Sequence, residues 1–125
     1  MTDSFKKILI IEDEKVLAEM YKDRFSEEGF QVVLAGSAEE GFEALKKEKP
    51  DLILLDILLP KANGVSFLKK IREQSELSSI PVVALSNYDE PKTKKEAESF
   101  GVKDYLLKTD FTPQDLVNKI KDYLI

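Results

Sequence analysis

The chain has 125 residues, 42% of them hydrophobic and 34% charged, the make-up of one packed domain with a real core. Its formal net charge of −5 argues against nucleic acid or an anionic membrane as a partner, because sequence-independent binding to either needs basic surface. Cysteine and histidine are both absent, so disulfides, thiolate chemistry, imidazole bases and Ser-His triads are excluded, and any metal must be held by oxygen.

The N-terminal stretch MTDSFKKILI lacks the long apolar run of a signal peptide, and no span of 18 apolar residues occurs. A cytoplasmic location and a single module over residues 1–125 are therefore expected. Short apolar runs alternate with amphipathic stretches from end to end, the pattern of parallel strands joined by helices. The first strand is KILII (7–11), followed by a helix whose buried face should carry Leu17, Met20, Tyr21, Arg24 and Phe25 and which should end near Gly29. The second strand is QVVLA (31–35), after which Ser37 and Glu40 form a capping pair for a helix presenting Ala38, Gly41, Phe42 and Leu45. LILLD (52–56) is the third strand, and Phe67, Leu68 and Ile71 mark the next helix.

PVVALS (81–86) is the fourth strand; with the third it is the most uniformly apolar, as strands covered on both faces should be. The fourth helix, PKTKKEAESF, has few apolar residues beyond Ala97 and Phe100, and Gly101 should end it. DYLL (104–107) is the last strand, with Tyr105 read as a half-buried strand aromatic. Thr112 and Asp115 cap the last helix, with Pro113 at its first position, where the missing N–H costs little. The tetrapeptide EEGF occurs at 27–30 and 39–42, but its flanks differ and its contexts are a helix end and a helix interior, so it is no repeat.

Asp56 stands in ILLDILLP, three apolar residues on either side of one carboxylate. A charge in such a run must be neutralised, paired or bound to a metal. In an open parallel sheet, ligands bind beyond the carboxyl ends of the strands. Reading those ends gives Glu12 and Asp13, Asp56, Ser86 and Lys108. Three converging carboxylates repel unless a cation neutralises them, and Mg²⁺ suits a site made only of oxygen donors. Ser86 and Lys108 can then donate to an anionic group held there, and a phosphoryl group fits, with Asp56 as the nucleophile. Taken singly, each has a plainer reading: helix capping for the acidic pair, a turn residue for Asp56, and solvated surface groups for Ser86 and Lys108.

Together these motifs resemble the receiver domains of two-component response regulators over nearly the whole chain. IIEDE is similar to the family's acidic pair, LLDILLPKANG to its D-x-x-[ML]-P-x-x-[DN]-G segment, VVALS to its Ser/Thr position, and GVKDYLLK to its G-A-x-D-[YF]-[LI]-x-K stretch. The resemblance implies a flavodoxin-like α/β fold, a (βα)5 three-layer sandwich with a five-stranded parallel sheet in the order 2-1-3-4-5. It implies that Asp56 accepts phosphate from a histidine kinase or phosphotransfer protein, that Asp13 and Asp56 ligate Mg²⁺ directly, that Glu12 acts mainly through water, and that the carbonyl of Leu58 completes the shell. Ser86 and Lys108 would contact the phosphoryl group. Tyr105 would change rotamer as Ser86 moves, and output would pass through the face of helix four, strand five and helix five to a protein partner.

After the lysine the family usually carries a proline in a cis peptide, whereas this chain has Thr109. A cis bond before a non-proline residue costs about 3–4 kcal/mol, so a trans Lys108–Thr109 peptide is expected. The residue after Ser86 is usually small in the family, whereas this chain has Asn87 and then Tyr88, which would alter access to the phosphoryl group. The expected function is a phosphorylation-activated switch that catalyses its own phosphotransfer and slow dephosphorylation. One alternative is a Mg²⁺-dependent aspartyl phosphatase of the haloacid dehalogenase kind, which expects a second acid two residues after the nucleophile, where this chain has Leu58. Another is a receiver-like binding module that is never phosphorylated, which the intact acid set opposes.

Overall fold

The structure is a computed structural model that describes residues 6–57, 64–87 and 89–124. Five strands, β1 (Lys7–Ile11), β2 (Gln31–Ala35), β3 (Leu52–Asp56), β4 (Val82–Ser86) and β5 (Asp104–Leu107), alternate with five helices. These are α1 (Lys15–Glu27), α2 (Ala38–Lys47), α3 (Gly64–Glu73), α4 (Pro91–Ser99) and α5 (Pro113–Leu124). The strands fall on the apolar runs of the sequence, with one shift: Pro81 precedes β4 instead of opening it. It has no N–H for the ladder, but its carbonyl accepts from Ile53 N at 2.9 Å. A 3-10 turn over Lys108–Asp110, unforeseen in the sequence, follows β5.

All strand pairs are parallel, in the order β2-β1-β3-β4-β5. Alternation along each strand sends side chains to two separate cores. Leu9, Ile11, Ile53, Leu55, Val82, Ala84 and Tyr105 join Leu45 of α2, Phe67, Leu68 and Ile71 of α3, and Ala97 of α4 on one face. Ile8, Ile10, Leu52, Leu54, Val83, Leu85 and Leu106 join Tyr21 and Phe25 of α1 and Leu116, Val117 and Ile120 of α5 on the other. Every residue of β3 and β4 is buried, as central strands covered on both faces must be.

The helix boundaries have visible causes. Ser37 accepts from Glu40 N at 3.1 Å and Glu40 accepts from Gly36 N at 3.0 Å, closing the start of α2. Thr112 and Asp115 exchange backbone-to-side-chain bonds of 3.0 and 3.2 Å ahead of Pro113. Gly29 and Gly101 turn the chain after α1 and α4 with φ of +92° and +75°, a region that L side chains rarely enter. The expected face of α1 is corrected: Ala18, Tyr21 and Phe25 are its buried residues, while Met20 is 45% exposed and Arg24 is exposed too.

Candidate functional site

Because the strands are parallel, their carboxyl ends share one edge of the sheet, and the polar residues singled out in the sequence gather there. Glu12 and Asp13 leave β1, Asp56 ends β3, Ser86 ends β4 and Lys108 follows β5. The register sets Asp56 opposite Leu85 and Ser86 opposite Leu107, one residue before the lysine. One carboxylate oxygen from each of Glu12, Asp13 and Asp56 lies within 4.8 Å of the others. Glu12, Asp56 and Ser86 are buried at 3%, 3% and 1% exposure, while Asp13 faces solvent.

Lys108 answers the charge problem posed by Asp56. Its ammonium donates to Glu12 Oε1 at 2.7 Å and to Asp56 Oδ2 at 3.2 Å, bridging β1 and β3 from the far side of β4. The lysine side chain is itself only 7% exposed. Glu12 also accepts from the backbone N–H of Glu14 at 3.1 Å, so both of its oxygens are engaged.

Burial pushes the Glu12 carboxyl up to about 7, with the Lys108 hydrogen bond opposing and the Asp56 charge adding to the rise. Burial works against the Lys108 charge, but the hydrogen bond to Glu12 and the charge of Asp56 outweigh it and hold the ammonium above the usual lysine range. Lysine thus keeps its charge in this pair, while burial disfavours the charged form of Glu12. A further positive charge near the three acids would favour their ionised forms, which is the electrostatic demand of a cation site.

Tyr105 is more buried than the half-buried strand aromatic expected from the sequence, at 9% exposure, and its hydroxyl has no hydrogen-bond partner among the described residues. Tyr105 stands opposite Ala84 in the register and belongs to the same core cluster as Ala84 and Ala97 of α4. The Lys108–Thr109 peptide is trans, as expected without a proline, and no cis bond occurs among the described residues. Leu58, offered as a carbonyl ligand, and Tyr88 lie outside the described residues, as do the other members of 58–63.

Two features escaped the sequence reading. Tyr21, read only as core, lies in the field of Lys108, Glu12 and Asp56; burial pushes its hydroxyl up to about 12. Glu12 and Lys108 are 96 residues apart, and no local pattern announces their direct pairing; only the strand order does.

A flavodoxin-like sheet with a lysine-bridged acidic centre at its carboxyl edge defines the class of this domain. The chain belongs to the response regulator receiver domain family, whose model matches residues 8–121, and is thus a receiver domain of the two-component kind. It is 33% identical over 119 residues to the alkaline phosphatase synthesis transcriptional regulatory protein PhoP of Bacillus subtilis, covering 95% of this chain and 48% of that protein. The chain spans about half the length of these curated relatives that it matches.

Among solved structures, a CheY-like receiver domain protein of Methanospirillum hungatei superposes with a TM-score of 0.88 at 29% identity, covering 97% of this chain and 94% of that one. The phosphorylated cyanobacterial phytochrome response regulator RcpA matches at a TM-score of 0.83 and 27% identity, over 96% of this chain and 91% of that one. Among the described residues, no helix is long and apolar enough to cross a membrane.

Proposed function

We propose that residues 1–125 act as one phosphorylation-controlled binding module in which Asp56 is the phosphoacceptor. The observation that carries this reading is the Lys108 ammonium held at 2.7 Å from Glu12 and 3.2 Å from Asp56, beside a third carboxylate, at the ligand-binding edge of the sheet. The phosphoryl donor is a histidine kinase or a phosphotransfer protein. An Asp56 carboxylate oxygen bonds to phosphorus as the phosphorus–nitrogen bond of the donor phosphohistidine breaks. The bonding pair leaves with the imidazole nitrogen, which takes up a proton.

The donor set fits Mg²⁺: three carboxylates, no nitrogen or sulfur ligand, and one exposed member, Asp13, through which solvent can complete an octahedral shell. Asp13 and Asp56 are the direct ligands in this reading. Glu12, whose two oxygens already hold Lys108 and the Glu14 N–H, acts through water. Bound Mg²⁺ would supply charge neutralisation for the acids and for the phosphoryl oxygens. Lys108 pairs with a phosphoryl oxygen on Asp56, and the buried Ser86 hydroxyl donates to another. The module catalyses its own phosphotransfer and slow dephosphorylation and is otherwise a switch.

Output runs through α4, β5 and α5 to a protein partner. Tyr105 supports this part of the reading, because its ring is buried while its hydroxyl lacks a partner. An unsatisfied buried hydroxyl costs about 1–3 kcal/mol, which offsets part of what burying the ring gains. A hydroxyl shift at Ser86 can tip the balance.

Intact mass after acetyl phosphate and Mg²⁺ tests the proposal. One phosphoryl group should add to the wild-type chain and none to Asp56→Asn, and Asp13→Ala should need far more Mg²⁺ for the same uptake. Uptake persisting in Asp56→Asn removes that residue from the role, and an unchanged magnesium requirement in Asp13→Ala removes the metal assignment.

A further inference from the structure

α4 is attached to the molecule unevenly. At its N-terminal end Glu90 makes no side-chain cap to the helix backbone, and Ala97 is the only buried residue of the helix proper. Its C-terminal end is held differently. Phe100 packs on the core, Gly101 turns the chain, and Arg72 in the last turn of α3 reaches across to both.

The Arg72 Nε donates to Phe100 O at 2.7 Å and Nη2 to Gly101 O at 3.3 Å. Its Nη1 donates to Ser78 O at 3.1 Å and Ile80 O at 3.0 Å. All four acceptors are main-chain carbonyls, two just past α4 and two in the connection from α3 to β4. Carbonyls at a helix C-terminus lack intrahelical partners and carry the negative end of the helix dipole, so a cation is favoured there. The planar fork of arginine can serve diverging acceptors at once, which a lysine ammonium on one flexible stem cannot. Among the described residues Arg72 forms no ion pair, and burial works against its charge. These carbonyls are therefore what holds a half-buried guanidinium in place.

We propose that Arg72 is a positioning residue of the switch: it fixes the C-terminal end of α4 to α3 and to the connection that leads into β4, so that α4 moves by pivoting about Phe100 and Gly101 with its Pro91 end travelling. The pivot rests on the phosphoacceptor reading for what drives the movement; the clamp does not. Pro91 follows the loop that leaves Ser86, so the travelling end is the one nearest in sequence to the phosphoryl site. A bound group at Asp56 can shift this equilibrium only through contacts that differ between the two positions, and Ser86 at the head of that loop is such a contact.

The test uses the isotope-labelled full chain as wild type, Arg72→Gln and Arg72→Lys, with amide exchange and amide shifts recorded before and after beryllium fluoride with Mg²⁺. In wild type the shift changes should fall off along α4 from residue 91 to residue 101. In Arg72→Gln the amides of Phe100 and Gly101, which bond to Ala97 O and Glu98 O, should exchange roughly tenfold faster or more, as expected for losing a hydrogen bond from a charged donor. The shift changes should then spread over residues 98–101, while phosphate uptake at Asp56 stays at the wild-type level. Arg72→Lys, which keeps the charge without the fork and guards against a misfolded glutamine variant, should behave like Arg72→Gln. Unchanged exchange at residues 98–101, equal acceleration throughout α4 and the central strands, or wild-type behaviour in Arg72→Lys overturns the clamp. A wild type that takes up no phosphate at Asp56 strikes the functional reading instead, and leaves the exchange comparison to judge the clamp alone.

Discussion

Tyr105 shows how a single atom sets the terms for a side chain. Its ring gains from burial in the core shared with Ala84 and Ala97 of α4, while its hydroxyl has lost water and has no partner among the described residues. Tyr105→Phe should therefore leave stability unchanged or raise it by up to about 1 kcal/mol, as expected when an unpaired buried hydroxyl is removed. Urea unfolding measures this, and a loss of stability would reveal a hydrogen bond that counts. Tyr21 makes the opposite electrostatic case: burial raises its folded pKa from 10.0 to about 12. A raised pKa means that the folded state holds its proton more tightly than the unfolded one, so the contribution is complete below pH 10 and disappears as pH climbs toward 12. Tyr21→Phe should accordingly lose less stability than wild type between those two pH values in alkaline unfolding. Parallel curves for the two proteins would mean that the hydroxyl is not the titrating group.

Elements repeat the lesson through the glycines. At Gly64 an added Cβ would stand 2.7 Å from Ile57 Cα and 2.8 Å from Ile57 O, so α3 can begin there only because the residue has no side chain. At Gly41 the obstacles are Ile11 Cδ1 at 2.7 Å and Phe67 Cε1 at 3.1 Å, side-chain atoms that can yield a little. Both alanine variants should be destabilised by about 1–3 kcal/mol through overpacking, with Gly64→Ala the worse because backbone cannot repack. Thermal unfolding that ranks Gly41→Ala lower in stability would reverse this argument. The strands were legible because each is a short apolar run, four of the five ended by a polar residue, and both capping pairs and both helix-ending glycines could be read from local chemistry. The face of α1 was not, because Met20 and Arg24 fit helical spacing equally well. Only contact with α5 and the sheet selects Tyr21 and Phe25. The carboxyl-edge rule gathered Glu12, Asp13, Asp56, Ser86 and Lys108, but the bonding within the group follows from strand order and stayed hidden, as did the arginine clamp.

At the scale of the whole molecule the sheet separates two cores that answer the site differently. β3 lies fully buried at its middle and β1 beside it is buried beyond Lys7, so displacement there would disturb close packing on both faces and is costly. α4, with one buried residue, has little packing to lose, so any rearrangement set off at Asp56 should run toward it and not across the sheet to β2 and α2. A phosphoryl group on Asp56, as proposed, would add about one negative charge at pH 7 together with new acceptor oxygens near Lys108 and Ser86, at the ends of the strands that flank α4. Amide shifts recorded with Mg²⁺, before and after beryllium fluoride, should therefore change at residues 91–107 as well as around Glu12, Asp13 and Asp56. Gln31–Ala35 and Ala38–Lys47 should stay nearly still. Changes confined to the acid pocket would mean that α4 does not report on the site, and changes spread evenly into β2 and α2 would mean that the sheet transmits what its packing should resist.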